Sequence, residues 1–366
     1  MNLTKILILT SEFPPQPGGI ATHAHYLALS LQKEGKQVIV LSDIRSKDGK
    51  IEKDFDAQLP FKVHRIKRRK IIEFSYLDRF LNALKHIKRT NTVIASGKFS
   101  LWLVFFLKLF YRKKYIAIIH GSEVLLSNKI LRKFTNSSLK KFDTVIAVSN
   151  FTKSLVKNLS LKSSVVIPNG FDISMIKYSN YTKPKTEKLR LITIGNVTQR
   201  KGQQNVVKAI PLLLKSHPEL HYHIVGIPTE KENIYRLANE LGVADQIIFH
   251  GKVSEEDKWE LLDSSSIFVM LSENTSYGDV EGFGIAILEA NSMGVPSIGS
   301  KGCGIEDAIN EGKSGILIDA HNPESFLRAV NEINNNYSEF SENAIQWSEK
   351  FGWDKIIKQY LQVLDK

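Results

Sequence analysis

Short apolar runs alternate with stretches of helical periodicity along most of this chain. Runs of about four to six apolar residues are typical of strands buried in a parallel sheet. Between them, apolar residues recur at spacings of three and four, which predicts helices. The predicted strands are Lys5–Thr10, Gln37–Leu41, Phe61–Ile66, Thr92–Ala95, Tyr115–His120, Thr144–Val148, Ser164–Ile167, Leu189–Ile194, His221–Val225, Gln246–Phe249, Ile267–Met270, Pro296–Ile298 and Gly315–Ile318. The predicted helices include Ala21–Glu34, Gly202–Lys215, Ile234–Leu241, Glu256–Asp263 and Pro323–Ile333.

The alternation of strand and helix indicates βαβ units and parallel sheets. At 366 residues the chain is long enough for two domains, each with its own hydrophobic core. The polar, proline-containing stretch Tyr178–Lys188 is interpreted as the linker between them. The sequence therefore predicts an α/β fold of two doubly wound Rossmann-like domains, residues 1–180 and 181–352, that face one another across a cleft. The amphipathic C-terminal segment, residues 353–366, is expected to form a helix that packs back on the first domain.

The composition, 42% hydrophobic and 24% charged, is that of a soluble globular protein. The single cysteine, Cys303, excludes an intrachain disulfide and favours a reducing compartment. The apolar run Ile6–Leu9 is too short for a signal peptide, and the longest one, Leu101–Leu107, cannot span a bilayer. We therefore expect a cytoplasmic protein, with peripheral attachment to the inner face of the cell membrane as an open alternative.

The charge is unevenly distributed along the chain. Residues 1–180 contain 31 Lys and Arg against 12 Asp and Glu, a net of +19, whereas residues 181–366 contain 19 against 26, a net of −7. The basic half could face anionic lipid, nucleic acid or an anionic acceptor, or it could be a solvated basic surface. No nucleic-acid motif is recognised, so we expect no nucleic-acid partner. In Phe61–Lys70 and Leu101–Lys114, aromatic residues accompany the cations; we expect core positions for the aromatics and membrane contact for the basic rim.

The most informative segment is Glu281–Glu289, EGFGIAILE. Two carboxylates lie eight positions apart and flank a Gly-Phe-Gly turn and an apolar run that predicts a helix. The helix N-terminus would offer unpaired N–H groups and a positive dipole end, which suit a phosphate. The carboxylates suit hydroxyl-rich partners such as ribose and hexose. The segment therefore predicts a site for a nucleotide-sugar.

Three further motifs follow predicted strands, where α/β domains bind their ligands. Gly18 and Gly19 precede a helix and could allow close approach of a ligand, or could form an ordinary loop. His120 could hydrogen-bond a sugar hydroxyl, or could cap the strand end. Arg200 and Lys201 precede a helix and could form a second anion-binding site, for a diphosphate.

Metal chemistry has little support in the sequence. The pair of aspartates in Asp54-Phe55-Asp56 lies in a charged segment that we interpret as a solvated loop. Cys and His residues do not occur at the spacings that metal sites use.

Together these motifs resemble glycosyltransferase family 4, whose members have the two-domain GT-B fold and retain the anomeric configuration. The residues that carry the resemblance are spread over nearly the whole chain: Gly18-Gly19, His120-Gly121, Ile167–Asp172, Arg200-Lys201-Gly202, Glu281–Ala290, Gly294–Pro296 and Gly304–Glu306. The glutamate block is the most specific of them. The run Gly278–Gly284 also looks like bacterial members that mannosylate phosphatidylinositol lipids.

The resemblance implies a role for each matching residue. Glu289 would hold the ribose hydroxyls, and Glu281 with the backbone of residues 282–284 would hold the donor hexose. Lys201 and Arg200 would neutralise the leaving diphosphate. The catalytic residues implied are His120, Glu281, Lys201 and Arg200. The donor-binding residues implied are Gly19, Gly195, Asn196, Gly282, Phe283, Gly284, Ile285, Glu289 and Val253.

The implied reaction is transfer of a hexose, with retention, from a nucleoside-diphosphate sugar to a lipid-linked or glycan acceptor in cell-envelope polysaccharide or glycolipid synthesis. No cofactor and no metal are expected, because cations and a helix terminus would stabilise the leaving group. Domain closure would assemble the site, since its parts come from both halves.

Two departures from the family pattern keep alternatives open. Asn196 stands where members usually have arginine, and Gly226-Ile227-Pro228 lacks a usual second glycine, which leaves the base pocket undefined. A nucleotide-sugar epimerase or a phosphorylase would share the fold, although the glutamate spacing argues against both. A catalytically degenerate nucleotide-binding scaffold is the non-enzymatic alternative.

Overall fold

The computed structural model describes residues 4–173 and 188–366. The chain divides into two units: unit 1 comprises Met1–Gly170 and Trp353–Lys366, and unit 2 comprises Phe171–Gly352. The boundary predicted between residues 180 and 181, and residues 178–187 of the predicted linker, lie outside the described residues.

Unit 1 is built on one parallel sheet. Its elements up to residue 170 are β1 (Lys5–Thr10), α1 (Gly19–Lys33), β2 (Gln37–Ile44), α2 (Lys50–Asp56), β3 (Lys62–Lys67), α3 (Ile72–Ile87), β4 (Thr92–Ser96), α4 (Lys98–Phe110), β5 (Lys114–Ile119), α5 (Lys129–Leu139), β6 (Thr144–Ala147), α6 (Asn150–Ser154) and β7 (Ser164–Val166). The strand order is β3-β2-β1-β4-β5-β6-β7. The order reverses between β1 and β4, which is where doubly wound sheets bind ligands.

Unit 2 repeats this plan. Its described strands and α-helices, together with the first of its 3-10 helices, are β8 (Arg190–Ile194), a 3-10 helix (Gln199–Lys201), α7 (Gln203–Leu213), β9 (His221–Val225), α8 (Lys231–Glu240), β10 (Ile247–Gly251), α9 (Glu255–Asp263), β11 (Ile267–Met270), α10 (Ile285–Ser292), β12 (Ser297–Ser300), β13 (Gly315–Ile318), α11 (Pro323–Asn335) and α12 (Tyr337–Ser348). The parallel strands are ordered β10-β9-β8-β11-β12-β13, and the order reverses between β8 and β11. Both sheets confirm the predicted α/β class.

The strands read as continuous apolar runs because helices cover both faces of each sheet. In β1, the side chains of Ile6, Leu7, Ile8 and Leu9 are all almost fully buried, although they alternate between the two faces. Leu7 and Leu9 join the core cluster that also contains side chains of α3, α4 and α5. Those three helices therefore pack on one face of the sheet of unit 1.

The chain returns to unit 1 through the last helix, α13 (Trp353–Asp365), which packs on α1. His23 Nε2 lies 2.9 Å from the hydroxyl of Tyr360, and Lys114 Nζ donates to the carbonyl of Leu364 at 2.7 Å. Gly170 lies so close to the indole of Trp353 that a Cβ there would come within 2.8 Å of it. The Ile167–Asp172 motif thus includes a glycine that the packing of α13 requires.

Two sequence-based expectations for unit 1 were wrong. Asp54-Phe55-Asp56 forms the end of α2 rather than a solvated loop: Asp56 pairs with Arg65 at 2.7 Å, and the ring of Phe55 packs against His25. In the second case, not all aromatics of Leu101–Lys114 enter the core, because Phe106 and Phe110 are exposed on α4. Both errors arose because apolar and polar residues do not follow a clear periodic pattern in either segment. Tertiary contacts therefore decided which side chains were buried.

None of the helices in the described ranges combines the length and the apolar composition that crossing a membrane requires.

Two glycines with similar backbone angles test how strongly close packing constrains unit 2. Gly202 (φ +74°) would place a Cβ 1.7 Å from the carbonyl oxygen of Leu271, whereas Gly242 (φ +67°) would meet nothing within 4 Å. We expect Gly242→Ala to lower the free energy of unfolding by about 1 kcal/mol, the cost of the left-handed conformation. Gly202→Ala should cost about 1–3 kcal/mol more, since the backbone must move. Urea denaturation measures both, and equal losses would contradict the packing argument.

Candidate functional site

The candidate site of unit 2 lies at the carboxyl edge of its sheet, where the strand order reverses between β8 and β11. The segment after β8 contains Gly195, Asn196 and the 3-10 helix with Arg200 and Lys201. The segment after β11, residues 271–284, leads to α10 and contains Glu281. Because β8 and β11 are neighbours, their loops meet although they are far apart in sequence.

Glu281 is held by the two cations of the neighbouring loop. Lys201 Nζ lies 2.8 Å from Glu281 Oε2, and Arg200 Nη1 donates to the same oxygen. The carboxylate is only 12% exposed. Burial by itself opposes ionisation, but Lys201 and Arg200 outweigh it and lower the pKa of Glu281 to about 2. The side chain is therefore a carboxylate at neutral pH.

Arg200 joins the two loops at several points. Its Nε donates to Asp279 at 3.1 Å, and its carbonyl accepts from the backbone N–H of Glu273 at 3.0 Å. Burial disfavours its charge, yet Glu281 and Asp279 more than compensate and raise the pKa of Arg200. Arg200 and Lys201, which the sequence predicted as a second anion-binding site, thus belong to the same cluster as Glu281.

Gly195 provides the space in which the Lys201 side chain lies. A Cβ on Gly195 would be 3.0 Å from Lys201 Cε, and its φ of +151° also favours glycine. Asn196 follows with an exposed side chain, while its carbonyl accepts from Gln203 Nε2 at 3.3 Å. Arg200, four residues further along the same loop, is a cation that bonds to Asp279 and Glu281.

The turn before α10 presents backbone rather than side chains. Phe283 is buried, with its ring 5.9 Å from that of Phe351, and Gly284 takes a φ of +92° as the residue before the helix. Gly304 packs so closely that a Cβ there would lie 2.0 Å from the carbonyl oxygen of Gly282. α10 begins at Ile285, close to Glu281 in the chain, and the N–H of Ile287 donates to the carbonyl of Gly284 at 3.0 Å. The first N–H groups of a helix lack the usual intrahelical partners, which makes such a terminus suitable for an anion.

Glu289 lies on α10 and contacts a cation, Lys258, that the sequence motifs do not include. Lys258 Nζ, from α9, is 3.0 Å from Glu289 Oε1 and 2.6 Å from Glu255 Oε2. Burial disfavours the ammonium, but Glu289 and Glu255 outweigh it and raise the pKa of Lys258. Val253, half-buried, stands just before Ser254, which caps α9. Glu281 and Glu289 thus hold separate cations.

The unit 1 residues lie at the carboxyl edge of the other sheet. His120 directly follows β5, and its Nε2 lies 2.9 Å from Ser96 Oγ at the end of β4. Its backbone N–H donates to Glu123 Oε1 at 2.6 Å. Burial lowers the pKa of His120 to about 4, so the imidazole is neutral at pH 7. The ring of His23 is 5.3 Å away, and burial, followed by the charge of His120, lowers its pKa well below the usual range.

Gly18 and Gly19 follow β1 at the same edge. Gly18 has a φ of +146°, a region that favours glycine, and Gly19 begins α1. A Cβ on Gly19 would meet nothing within 4 Å, so its backbone is open to approach. His120, the catalytic candidate of unit 1, and Gly19, its donor-binding candidate, are therefore on the edge that binds ligands in this class of fold.

Three residues near these sites were not assigned a role from sequence: Lys258, Ser96 and Asp279. Lys258 carried a detectable signal, because it lies four residues before the buried Leu262 and so occupies the buried stripe of α9. Ser96 and Asp279 carried none. Within residues 4–173 and 188–366, no three His, Cys, Asp or Glu side chains are grouped as metal ligands would be.

Comparison with known families agrees with this geometry. The model described as "Glycosyltransferase Family 4" matches residues 17–175, and the model described as "Glycosyl transferases group 1" matches residues 176–350. The two matches are contiguous and cover nearly the whole chain. The chain belongs to this family of glycosyltransferases, which confirms the resemblance inferred from the motifs.

The similar curated proteins include mycobacterial enzymes. A GDP-mannose-dependent alpha-(1-6)-phosphatidylinositol monomannoside mannosyltransferase of Mycolicibacterium smegmatis is 25% identical over 60% of this chain and 61% of that protein. The protein of the same name from Mycobacterium tuberculosis strain CDC 1551 is 24% identical over 90% of this chain and 89% of that protein. The chain thus spans a little under two thirds of the first relative and most of the second.

The solved structures that resemble this chain confirm the fold as GT-B. Sucrose-phosphate synthase from Thermosynechococcus elongatus has a TM-score of 0.82, with 17% identity over 99% of this chain and 98% of that one. HepE of Anabaena, solved in complex with UDP and glucose, has a TM-score of 0.80, with 18% identity over 99% of each chain. At these identities the likeness defines the fold alone.

The low pKa of Glu281 predicts a specific pH dependence of stability. Because its folded pKa is about 2, below the ordinary value of 4.5, its ion pairs stabilise the fold above about pH 4.5, and this stabilisation is lost as the pH falls toward 2. Glu281→Gln should lower the free energy of unfolding by about 3 kcal/mol at pH 6.5. Urea denaturation at pH 6.5, 4.5 and 3.5 should show that the difference in the free energy of unfolding between wild type and variant becomes smaller as the pH falls.

Glu260→Gln serves as the matched control, since Glu260 is exposed on α9. Its stability should follow that of the wild type at each pH. If the difference in unfolding free energy between wild type and Glu281→Gln stayed constant down to pH 3.5, this result would contradict the ion-pair account.

Proposed function

We propose that this protein is a retaining glycosyltransferase that moves a hexose from a nucleoside-diphosphate sugar to a lipid-linked or glycan acceptor in cell-envelope polysaccharide or glycolipid synthesis. The observation that carries the proposal is the cluster of Arg200, Lys201 and Glu281 at the switch point of unit 2, close in sequence to the start of α10. Cations beside a helix N-terminus suit a diphosphate, and an adjacent carboxylate suits a sugar hydroxyl.

The charges of the cluster support a role in stabilising a leaving group. Arg200 and Lys201 supply two positive charges, and Glu281 and Asp279 balance them, so the cluster is neutral as a whole. The cations are held in place before any ligand arrives. When the bond between sugar and diphosphate breaks, the diphosphate gains negative charge, and cations that are already oriented stabilise it without reorganisation. We assign this role to Lys201 and Arg200.

Donor binding would use the remaining residues of unit 2. Glu289 would accept hydrogen bonds from ribose hydroxyls; Lys258 holds one of its oxygens and leaves the other for a ligand. The backbone of residues 282–284, with Glu281, would hold the hexose. The buried position of the Phe283 side chain supports a backbone role for this turn.

The neutral state of His120 favours hydrogen bonding over charge stabilisation. Its pKa of about 4 makes the imidazole uncharged at pH 7, and Ser96 fixes the orientation of the ring. A neutral imidazole can donate to a sugar oxygen or accept from a hydroxyl. Gly19 and His120 belong to unit 1, and their contact with the donor stays a prediction.

The relatives support a sugar donor and a lipid-linked acceptor as the classes to test. The mycobacterial proteins are named as GDP-mannose-dependent enzymes that act on a phosphatidylinositol mannoside, and HepE was solved with UDP and glucose. These names differ in base and sugar. Thermal-shift screening of UDP- and GDP-sugars, followed by hydrolysis assays on the hits, identifies the donor.

A metal-independent reaction predicts that EDTA leaves the rate unchanged.

Replacing Lys201 tests the leaving-group role. Lys201→Met should lower kcat for donor hydrolysis or transfer by about 100-fold or more, because it removes a group that stabilises charge in the transition state. Lys208→Met, which changes an exposed lysine on the following helix, should leave the rate within twofold of the wild type. Unchanged turnover in Lys201→Met would show that Lys201 does not stabilise the leaving group. Tight donor binding by the wild type without any turnover would instead favour the degenerate scaffold.

Product analysis tests retention. With a donor of defined anomeric configuration, proton NMR of the transfer product should show the same configuration at the anomeric carbon. Inversion would overturn the retaining mechanism while leaving the donor site intact. Release of an isomerised sugar without transfer would identify an epimerase.

A further inference from the structure

The exposed apolar side chains of this protein are concentrated on three helices of unit 1. Of the 14 large apolar residues that are exposed among those described, nine lie between residues 71 and 131. They are between 38 and 78% exposed: Ile71, Phe74, Leu77, Leu81, Phe106, Leu109, Phe110, Ile130 and Leu131. Isolated apolar residues on a surface need no explanation, but such a concentration does.

The three helices lie side by side on one face of the sheet. The ring of Phe80 on α3 is 6.1 Å from that of Phe110 on α4, and the ring of Phe106 on α4 is 6.0 Å from that of Phe134 on α5. All three helices pack on the same core cluster. Their outer side chains therefore form one surface, which we call the α3–α5 face and define by the nine residues above.

The pattern on α3 is that of a helix lying in an interface. Phe74, Leu77 and Leu81 are spaced at three and four and form an exposed apolar stripe. Lys85 and Lys88 continue the same stripe at spacings of four and three, and both are exposed. Phe and Leu combined with Lys and Arg are typical of helices that lie at the surface of a bilayer.

The charge around the α3–α5 face indicates what it would contact. Residues 67–141 contain 18 Lys and Arg against three Asp and Glu, a net of +15 out of the +19 carried by residues 1–180. Protein–protein interface cores are depleted in lysine, so this composition argues against a protein partner. An anionic bilayer satisfies both features, because apolar side chains enter the headgroup boundary while cations contact lipid phosphates.

We propose that the α3–α5 face is the surface by which this protein docks on an anionic bilayer. The face begins at Ile71, just after β3, at the edge of the sheet that also carries Gly19 and His120. If the proposed function holds, a docked bilayer presents a lipid-linked acceptor at that edge. The docking itself does not depend on the enzymatic activity.

Vesicle cosedimentation tests the docking with the full chain. The wild type should bind vesicles of phosphatidylglycerol and phosphatidylcholine, should not bind phosphatidylcholine alone, and should dissociate in 0.5 M salt. The triple variant Lys70→Gln/Lys85→Gln/Lys133→Gln should bind about 100-fold more weakly, at about fivefold for each charge. The triple variant Leu77→Ser/Leu109→Ser/Ile130→Ser should bind at least about 10-fold more weakly, since these side chains are exposed and leave the core intact.

Matched variants of unit 2 control for charge and hydrophobicity in general. Lys208→Gln/Lys215→Gln/Lys313→Gln and Tyr235→Ser/Leu241→Ser change exposed residues and should bind like the wild type. All variants should hydrolyse a soluble donor at the wild-type rate, so a failure of docking is distinct from a failure of the proposed function. Absence of wild-type binding to anionic vesicles overturns the proposal. The proposal is also overturned if the wild type is a dimer, the triple serine variant of unit 1 is a monomer, and that variant binds vesicles as strongly as the wild type. Size-exclusion chromatography with light scattering measures the oligomeric state.

Discussion

The ion pairs of Glu281 with Lys201 and Arg200 are the interaction on which the candidate site depends. They join the loop after β8 to the loop after β11, and they fix two cations near the start of α10 before any ligand is present. A buried carboxylate is costly unless it is paired, so the three side chains constrain one another. Gly195 leaves room for Lys201, and Gly304 packs beneath the carbonyl of Gly282. The site is thus preorganised by packing as well as by charge.

Parallel sheets explain why two similar edges carry different chemistry. In each unit the strand order reverses between two central strands, so loops from distant parts of the sequence meet at the carboxyl edge. In unit 2 these loops bring cations and carboxylates together. In unit 1 the same edge carries an open glycine backbone and a neutral histidine held by Ser96. The paired cations at the edge of unit 2 suit a diphosphate, as the proposed function requires.

The unequal charge of the two halves has a structural counterpart in the distribution of apolar surface. Unit 2 exposes few large apolar side chains among its described residues and has the acidic half of the chain. Unit 1 combines most of the basic excess with the α3–α5 face. On a soluble monomer such a surface lowers solubility without adding to the core, so a binding partner is its physical rationale. The residues that form it take no part in the ion-pair cluster, and the two features can therefore be separated by mutation.

The sequence by itself determined the class of fold and most element positions. Strands Lys5–Thr10, His221–Val225 and Ile267–Met270 begin and end where the sequence predicted, because hydrophobic periodicity is a local property. It also identified Glu281, Lys201 and Arg200 as candidates, since glycine-rich turns and charged residues at strand ends are visible in one dimension. Only the tertiary structure decided that Glu281 bonds to Arg200, 81 positions away, and that Lys258 holds Glu289. It also decided which aromatics of α4 are exposed. The reason is physical: ion pairs and burial depend on which strands become neighbours, and strand order is set by packing between distant segments rather than by any local pattern.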